Sequence, residues 1–270
     1  MVLPGKIMFI SDHGDPLAKL GGIQSGGQNV YVREMVRALD SLGLRADVFT
    51  HWSDPRLPQV EPIGRNSRVV RLAAGSKGFH SKHKMFDMLP LFMRDIKDFA
   101  GNLYRYTIIH TNYWLSGWVG LQLQRALGIP RVHTSHSLGS VRKGAMAAQS
   151  SESFSLRLRV EKELLQGADR VIATTPIERK VLMEAYSVSP GKIKVVPCGV
   201  DTSRFRPPGS NITPYSCLGG QKKIVLFVGR FEENKGLKVL LRSMSILKKE
   251  YPLTAGMTRL VIAGGDSLER

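Results

Sequence analysis

A chain of 270 residues with 42% hydrophobic and 23% charged side chains has an ordinary globular composition and room for about two domains, which excludes disordered and fibrous classes. No uninterrupted apolar run approaches the ~18 residues of a membrane span, and Asp12 and Asp15 come too early for a secretory leader. The formal net charge of +17, from 39 basic and 22 acidic side chains, favours anionic partners: nucleotides, sugar phosphates, acidic lipid or nucleic acid.

In chain order, residues 6–11 read as a buried strand. The glycine-rich stretch Gly21-Gly22-Ile23-Gln24-Ser25-Gly26-Gly27-Gln28-Asn29 follows. It leads into a helical pattern over 28–42, with Val32, Met35, Val36, Leu39 and Leu42 on one face. Strand, glycine loop and helix in that order form a phosphate-binding arrangement. Glycine lets the backbone approach an anion, and the helix start offers free N–H groups and a positive dipole end. The Gly-Lys-Ser/Thr of a Walker loop is missing, and Gly-x-Gly-x-x-Gly is absent from its usual place after the strand. The competing reading is a loop that needs glycine only for positive φ.

Further strands are expected over 46–50, 68–72 (the weakest), 107–111, 131–135, 170–175 and 192–196. Helices are expected over 84–100, 115–127, 154–166 and 177–186, the last starting just after Pro176. This alternation predicts a parallel sheet covered on both faces, a doubly wound α/β domain. Arg206-Pro207-Pro208-Gly209-Ser210-Asn211 then reads as a linker. A strand over 223–228, a helix over 237–251 and a strand over 259–263 restart the pattern. The expected division is a domain over 1–205, a linker over 206–222 and the start of a second domain over 223–270. Those last residues number about half of the ~100 an independent α/β domain needs, so the second domain is expected to be incomplete in this chain.

Ligands of such folds bind at the carboxyl ends of the strands. Asn112-Tyr113-Trp114, His136-Ser137 and Gly229-Arg230 with Lys235 fall there. Singly, each has a bland reading: a core histidine, core aromatics, solvated cations. Together they describe a cleft lined with phosphate and sugar ligands. Basic residues are spread over the chain, with local density around Lys77, Lys82, His83 and Lys84; charge alone supports nucleic acid, which is not expected as a partner. Membrane association is left open but not indicated, and nothing in the sequence sets the oligomeric state. Cys198 and Cys217 lack metal-ligand spacing, so no metal is expected, and two free thiols fit a reducing cytoplasm.

Five stretches carry a resemblance. They are Gly26-Gly27-Gln28-Asn29-Val30-Tyr31-Val32, His110-Thr111-Asn112-Tyr113-Trp114-Leu115-Ser116-Gly117 and His133-Thr134-Ser135-His136-Ser137-Leu138. Pro197-Cys198-Gly199-Val200-Asp201 with Phe205-Arg206-Pro207, and Val228-Gly229-Arg230 with Lys235-Gly236, complete the set. In this order, over almost the whole chain, they resemble family 4 retaining glycosyltransferases of the GT-B fold. The nearest branch contains sucrose-phosphate synthases and inositol-phosphate N-acetylglucosaminyltransferases.

The resemblance implies two Rossmann-like doubly wound domains, with a nucleotide-sugar donor held mainly by the second and the acceptor by the first. It implies that Gly26 and Gly27 meet the donor diphosphate and that Arg230 and Lys235 are its cationic pair, acting without a metal or other cofactor. Fixed cations and N–H dipoles would stabilise the charge that grows on the leaving diphosphate. His136 falls on the family histidine that contacts the donor sugar. Asn29, Lys82, Tyr113, Ser137 and Arg157 fall where relatives hold a phosphorylated acceptor, and Lys, Arg and hydroxyls around one point suit a phosphomonoester. His136, Arg230 and Lys235 are thus the catalytic candidates. Asn112 departs from a histidine often seen in its motif, and the family's paired glutamates, spaced Glu-x7-Glu, are not in the chain. The resulting expectation is transfer of a hexosyl group with retention to a sugar or polyol acceptor. The alternatives are a non-catalytic sugar-phosphate-binding module and, more weakly, a dinucleotide oxidoreductase. The latter lacks an acidic ribose ligand at the end of its second strand, which closes on Thr50-His51.

Overall fold

Met8, Phe9 and Ile10 of the first strand expose no surface, because this strand lies in the interior of an eight-stranded sheet. A computed structural model describes residues 5–19, 26–141, 152–207 and 223–265. The chain divides into two units after Cys198. In the first unit the strands are β1 (Lys6–Ile10), β2 (Arg45–His51), β3 (Val60–Pro62), β4 (Arg68–Leu72), β5 (Tyr106–Asn112), β6 (Arg131–Thr134), β7 (Arg170–Ala173) and β8 (Ile193–Val195). Across the sheet they run β3-β4-β2-β1-β5-β6-β7-β8. Every pairing is parallel except β3 with β4.

Among the described residues the faces are covered by α1 (Gly27–Ser41), α2 (Lys82–Ala100), α3 (Tyr113–Leu127), α4 (Glu152–Gln166) and α5 (Pro176–Tyr186). Val32 and Val36 of α1 pack on Phe9, Ala46, Val48 and Val69 to form one core. The larger core joins Leu89, Phe92 and Ile96 of α2 to Leu115 and Val119 of α3 and Leu164 of α4 across the other face. Leu42, expected in the α1 stripe, is 77% exposed, because α1 ends at Ser41 and Gly43 turns the chain at φ 82. The weakest expected strand, β4, is a full member with four buried residues. The three-residue strand β3 was not expected. It ends in Pro62 and runs antiparallel at the sheet edge, where a missing N–H is tolerated.

The second unit holds the strands β9 (Lys223–Val228) and β10 (Thr258–Ala263), paired in parallel, with helices α6 (Leu237–Glu250) and α7 (Pro252–Gly256). Its sheet is short, two strands among the described residues. Leu226, Val239, Leu241, Ile246 and Ile262 are accordingly exposed. Most of the expected linker lies outside the described residues.

Candidate functional site

In the first unit the strand order reverses direction at β1 and β5, which places a crevice at their carboxyl ends. The start of α1 lies on this edge. Gly26 caps the helix with φ −175°, an extended conformation open to any residue. A Cβ added to Gly26 or Gly27 would meet nothing within 4 Å. The positive-φ reading therefore fails for these two glycines, and what they provide is open space at a helix N-terminus. Gly21 to Ser25 lie outside the described residues.

Asn29 is buried at 3% exposure. Its Oδ1 accepts from the Gly26 N–H at 2.9 Å and its Nδ2 donates to the Asp15 carbonyl at 2.8 Å. Asp15 in turn accepts from Nε of the fully buried Arg71 at 2.6 Å. Asn29, expected at the acceptor, thus braces the helix start through both ends of its amide.

Two non-glycine residues with positive φ stand at neighbouring strand ends: Tyr113 (φ 77) after β5 and His136 (φ 57) after β6. Left-handed backbone in a Tyr or His costs on the order of 1–3 kcal/mol and concentrates at functional sites. His136 Nε2 donates to Asn112 Oδ1 at 2.9 Å, and Tyr31 meets its ring edge-on at 4.8 Å. Burial, reinforced by His110 and His13, pushes the His136 imidazole down to about 3. His136 is therefore a neutral hydrogen-bonding group at physiological pH.

Tyr113 is flanked by the His13 ring at 4.5 Å and the Arg157 guanidinium at 5.2 Å. Arg157 Nη2 donates to the Ser137 carbonyl at 2.9 Å and lies 3.5 Å from its hydroxyl. The structure thus brings Tyr113, Ser137 and Arg157 together from α3, the loop after β6 and α4. Lys82 begins α2, and its side chain lies outside the described residues. Arg157 is not an unpaired cation. Its Nε donates to Glu161 at 2.7 Å, and Glu161 also accepts from the Gly139 N–H and the Tyr186 hydroxyl. Burial, with the Glu161 charge, pushes that phenol up to about 12. Trp114 follows the bland reading: it is buried and stacks on Phe86 at 5.3 Å.

The sequence reading passed over Asp12, His13 and Ser116. Asp12 Oδ1 accepts from the Ser116 hydroxyl and lies 3.2 Å from His13 Nδ1, and both Asp12 and Ser116 are buried. The signal was available, since Asp12 and His13 follow β1 at its carboxyl end, one residue beyond Ile10. Glu161 could have been found as the i+4 partner of Arg157.

In the second unit, Arg230 follows β9, is exposed, and pairs with Glu232 at 2.9 Å. Lys235 is exposed at the end of a 3-10 turn, Glu233–Lys235, just before α6. Gly229 and Gly264, at the ends of β9 and β10, both have positive φ, and a Cβ on Gly264 would overlap the Gly229 carbonyl. Among the described residues no group of His, Cys, Asp and Glu is arranged to hold a metal ion.

Known proteins share this architecture. A sucrose-phosphate synthase from Thermosynechococcus elongatus superposes with a TM-score of 0.79 at 33% identity, over 96% of this chain and 70% of that one. Anabaena HepE, solved with UDP and glucose, matches in fold with a TM-score of 0.65 at 18% identity, over 97% of this chain and 61% of its own. The fold is that of a GT-B glycosyltransferase, with one full Rossmann-like sheet and a short second one.

The model of Glycosyltransferase Family 4 matches residues 25–204, and that of Glycosyl transferases group 1 matches residues 216–270. The chain belongs to Glycosyltransferase Family 4. D-inositol 3-phosphate glycosyltransferases from Kineococcus radiotolerans and Corynebacterium aurimucosum are 32% and 34% identical to it. They match over 97% of this chain and 61% and 63% of their own length. The chain thus spans about three fifths of these relatives.

Proposed function

We propose that the protein containing this chain transfers a hexosyl group from a nucleotide sugar to a phosphorylated sugar or polyol, with retention at the anomeric carbon. The observation that carries this reading is the convergence of Tyr113, Ser137 and Arg157 at the crevice edge. It joins a guanidinium, a hydroxyl and an aromatic face in the unit that matches the Family 4 model. The curated relatives are named for an inositol phosphate, and the solved neighbour for a sugar phosphate product.

Each side chain then has a role that follows from its chemistry. Arg157 and Ser137 donate to the acceptor phosphate, with Lys82 as a further cation. His136, neutral and with its Nε2 proton committed to Asn112, accepts from a sugar hydroxyl at Nδ1 without titrating. The N–H groups at the α1 start stabilise negative charge. In the second unit Arg230 and Lys235 bind the diphosphate as it leaves, which is the step where fixed cations lower the barrier. No metal or other cofactor enters this scheme. For the isolated chain the alternative is a sugar-phosphate-binding module without turnover. It is favoured by the short second sheet, two strands among the described residues.

Calorimetric titration with D-inositol 3-phosphate and with inositol tests the acceptor site on the chain itself. We expect the phosphorylated compound to bind at least tenfold more tightly, about 1.4 kcal/mol. Equal affinities would remove the phosphate site. Release of nucleoside diphosphate, assayed with donor and acceptor in a protein of the relatives' length, separates enzyme from binding module.

A further inference from the structure

The edge of the large sheet opposite the crevice carries a row of cations. β1 begins with Lys6, β2 with Arg45, β4 with Arg68, β6 with Arg131 and β7 with Arg170. Arg105 and Lys192 immediately precede β5 and β8. These seven strands are mutually parallel, so their amino ends share one edge. The spatial order along it is Arg68, Arg45, Lys6, Arg105, Arg131, Arg170, Lys192. Register places Lys6 directly beside Arg45. At about 4.8 Å per strand the row extends roughly 30 Å.

Part of this charge serves the fold. Arg131 is fully buried and donates to the Leu164 carbonyl. Lys192 donates to the carbonyl of Gln166, the last residue of α4, where the helix dipole favours a cation. The remainder exceeds what the fold uses. Asp47 alone faces Lys6 at 2.6 Å, Arg68 at 2.7 Å and Arg105 at 3.7 Å, one carboxylate against three cations. Arg45 and Arg170 are exposed, and among the described residues neither lies within ion-pair distance of a carboxylate; Arg170 reaches only the Asp169 carbonyl. Two large side chains stand exposed on the same edge. Leu42 (77%) lies in the turn that leads into β2, and Tyr104 (74%) is next to Arg105.

We propose that this edge docks on an anionic lipid surface. The exposed cations of this edge suit an anionic surface, and the flanking Leu and Tyr are the side chains that enter a headgroup layer. Nucleic acid would gain from the cations but not from Leu42. Among the described residues no helix is long and apolar enough to cross a membrane; contacts made by exposed cations weaken as salt rises. The crevice lies at the other ends of the same strands and stays open to soluble ligands while the edge is engaged. The inference is independent of the acceptor chemistry.

Flotation of the 270-residue chain with phosphatidylcholine vesicles, and with vesicles that also contain phosphatidylglycerol, tests it. Binding is expected only to the second kind, weakening as salt rises. R45E/R170E, at two exposed positions outside the crevice, should reduce partitioning at least tenfold with an unchanged melting temperature. Leu42→Ser/Tyr104→Ser should reduce it while retaining the salt dependence. Equal binding to both vesicle types, undiminished binding of R45E/R170E, or displacement from the vesicles by stoichiometric duplex DNA would overturn the proposal, the last in favour of nucleic acid.

Discussion

His136 and Asn112 tie the ends of two neighbouring strands: Nε2 of the imidazole donates to Oδ1 of the carboxamide at 2.9 Å. The Asn112 Nδ2 faces the Ile10 carbonyl at 3.5 Å, which fixes the carboxamide orientation and hence the tautomer. Nitrogen-15 NMR should therefore show His136 protonated at Nε2 alone between pH 5 and 8, with no titration. Asn112→Asp sets a carboxylate against the ring, which favours the imidazolium and should bring a titration into view. If His136 in the parent chain titrates near 6.5, its proposed role as a neutral sugar ligand fails.

Acid should destabilise the first unit in a defined window. Burial pushes His110 down to about 4 and His136 to about 3, and holds His133 well below the ordinary histidine value. Unfolding restores values near 6.5. Between the folded and unfolded values the unfolded chain binds more protons, so stability rises with pH. The contribution is complete above about 6.5 and is lost as pH falls toward the folded values. Each histidine adds up to about 1.4 kcal/mol per pH unit within that window. Urea melts from pH 8 to pH 5 should show the slope, and His110→Gln should flatten it. An identical slope in that variant would show that His110 is not one of its sources.

Arg157→Ala should lower stability by about 3 kcal/mol, because it strips the cation from the buried Glu161 carboxylate. Loss of phosphate binding in that variant would be ambiguous for the same reason. Arg157→Lys keeps the charge and loses the planar fork, so it is the variant in which phosphate affinity should be read. Denaturant melts on both, with Glu161→Gln as a third, apportion the effect. If Arg157→Ala proves as stable as the parent, the buried pair carries little of the packing.

Gly27→Val should leave the fold of the first unit intact. A Cβ there meets nothing within 4 Å, and Val is no worse a helix former than Gly. In a protein of the relatives' length it should abolish turnover by filling the space before the helix start. Gly264→Ala should do the reverse and disrupt the pairing of β9 with β10, because its Cβ overlaps the Gly229 carbonyl. Circular dichroism and melting curves on the two variants distinguish these outcomes. A collapsed Gly27→Val would mean that this glycine serves the fold.

Much of the first unit was legible because its signals are local. Buried parallel strands read as short apolar runs, and Thr175, whose hydroxyl accepts from the Glu178 N–H, with Pro176 behind it, marks the start of α5. The strand β3 was not legible, since three residues ending in proline carry no periodicity. The convergence of Tyr113, Ser137 and Arg157 could be placed by family likeness, and the i+4 spacing of Arg157 and Glu161 was legible. That Glu161 is buried and also accepts from Gly139 and Tyr186 is a tertiary fact. Asp12 was legible by its place after β1, but its partner Ser116, 104 residues away, was not.

The chain from Arg71 through Asp15 to Asn29 and Gly26 has a thermodynamic consequence. The start of α1 is referenced to β4, a strand two places away across the sheet, by an ion pair and a hydrogen-bonded amide. Conformational freedom at the helix start is surrendered when the chain folds, not when a ligand arrives. An anion therefore meets donors already aimed, and association there carries little further loss of entropy. Replacing Arg71 by methionine would loosen that start and weaken anion binding without removing a single group that touches the ligand.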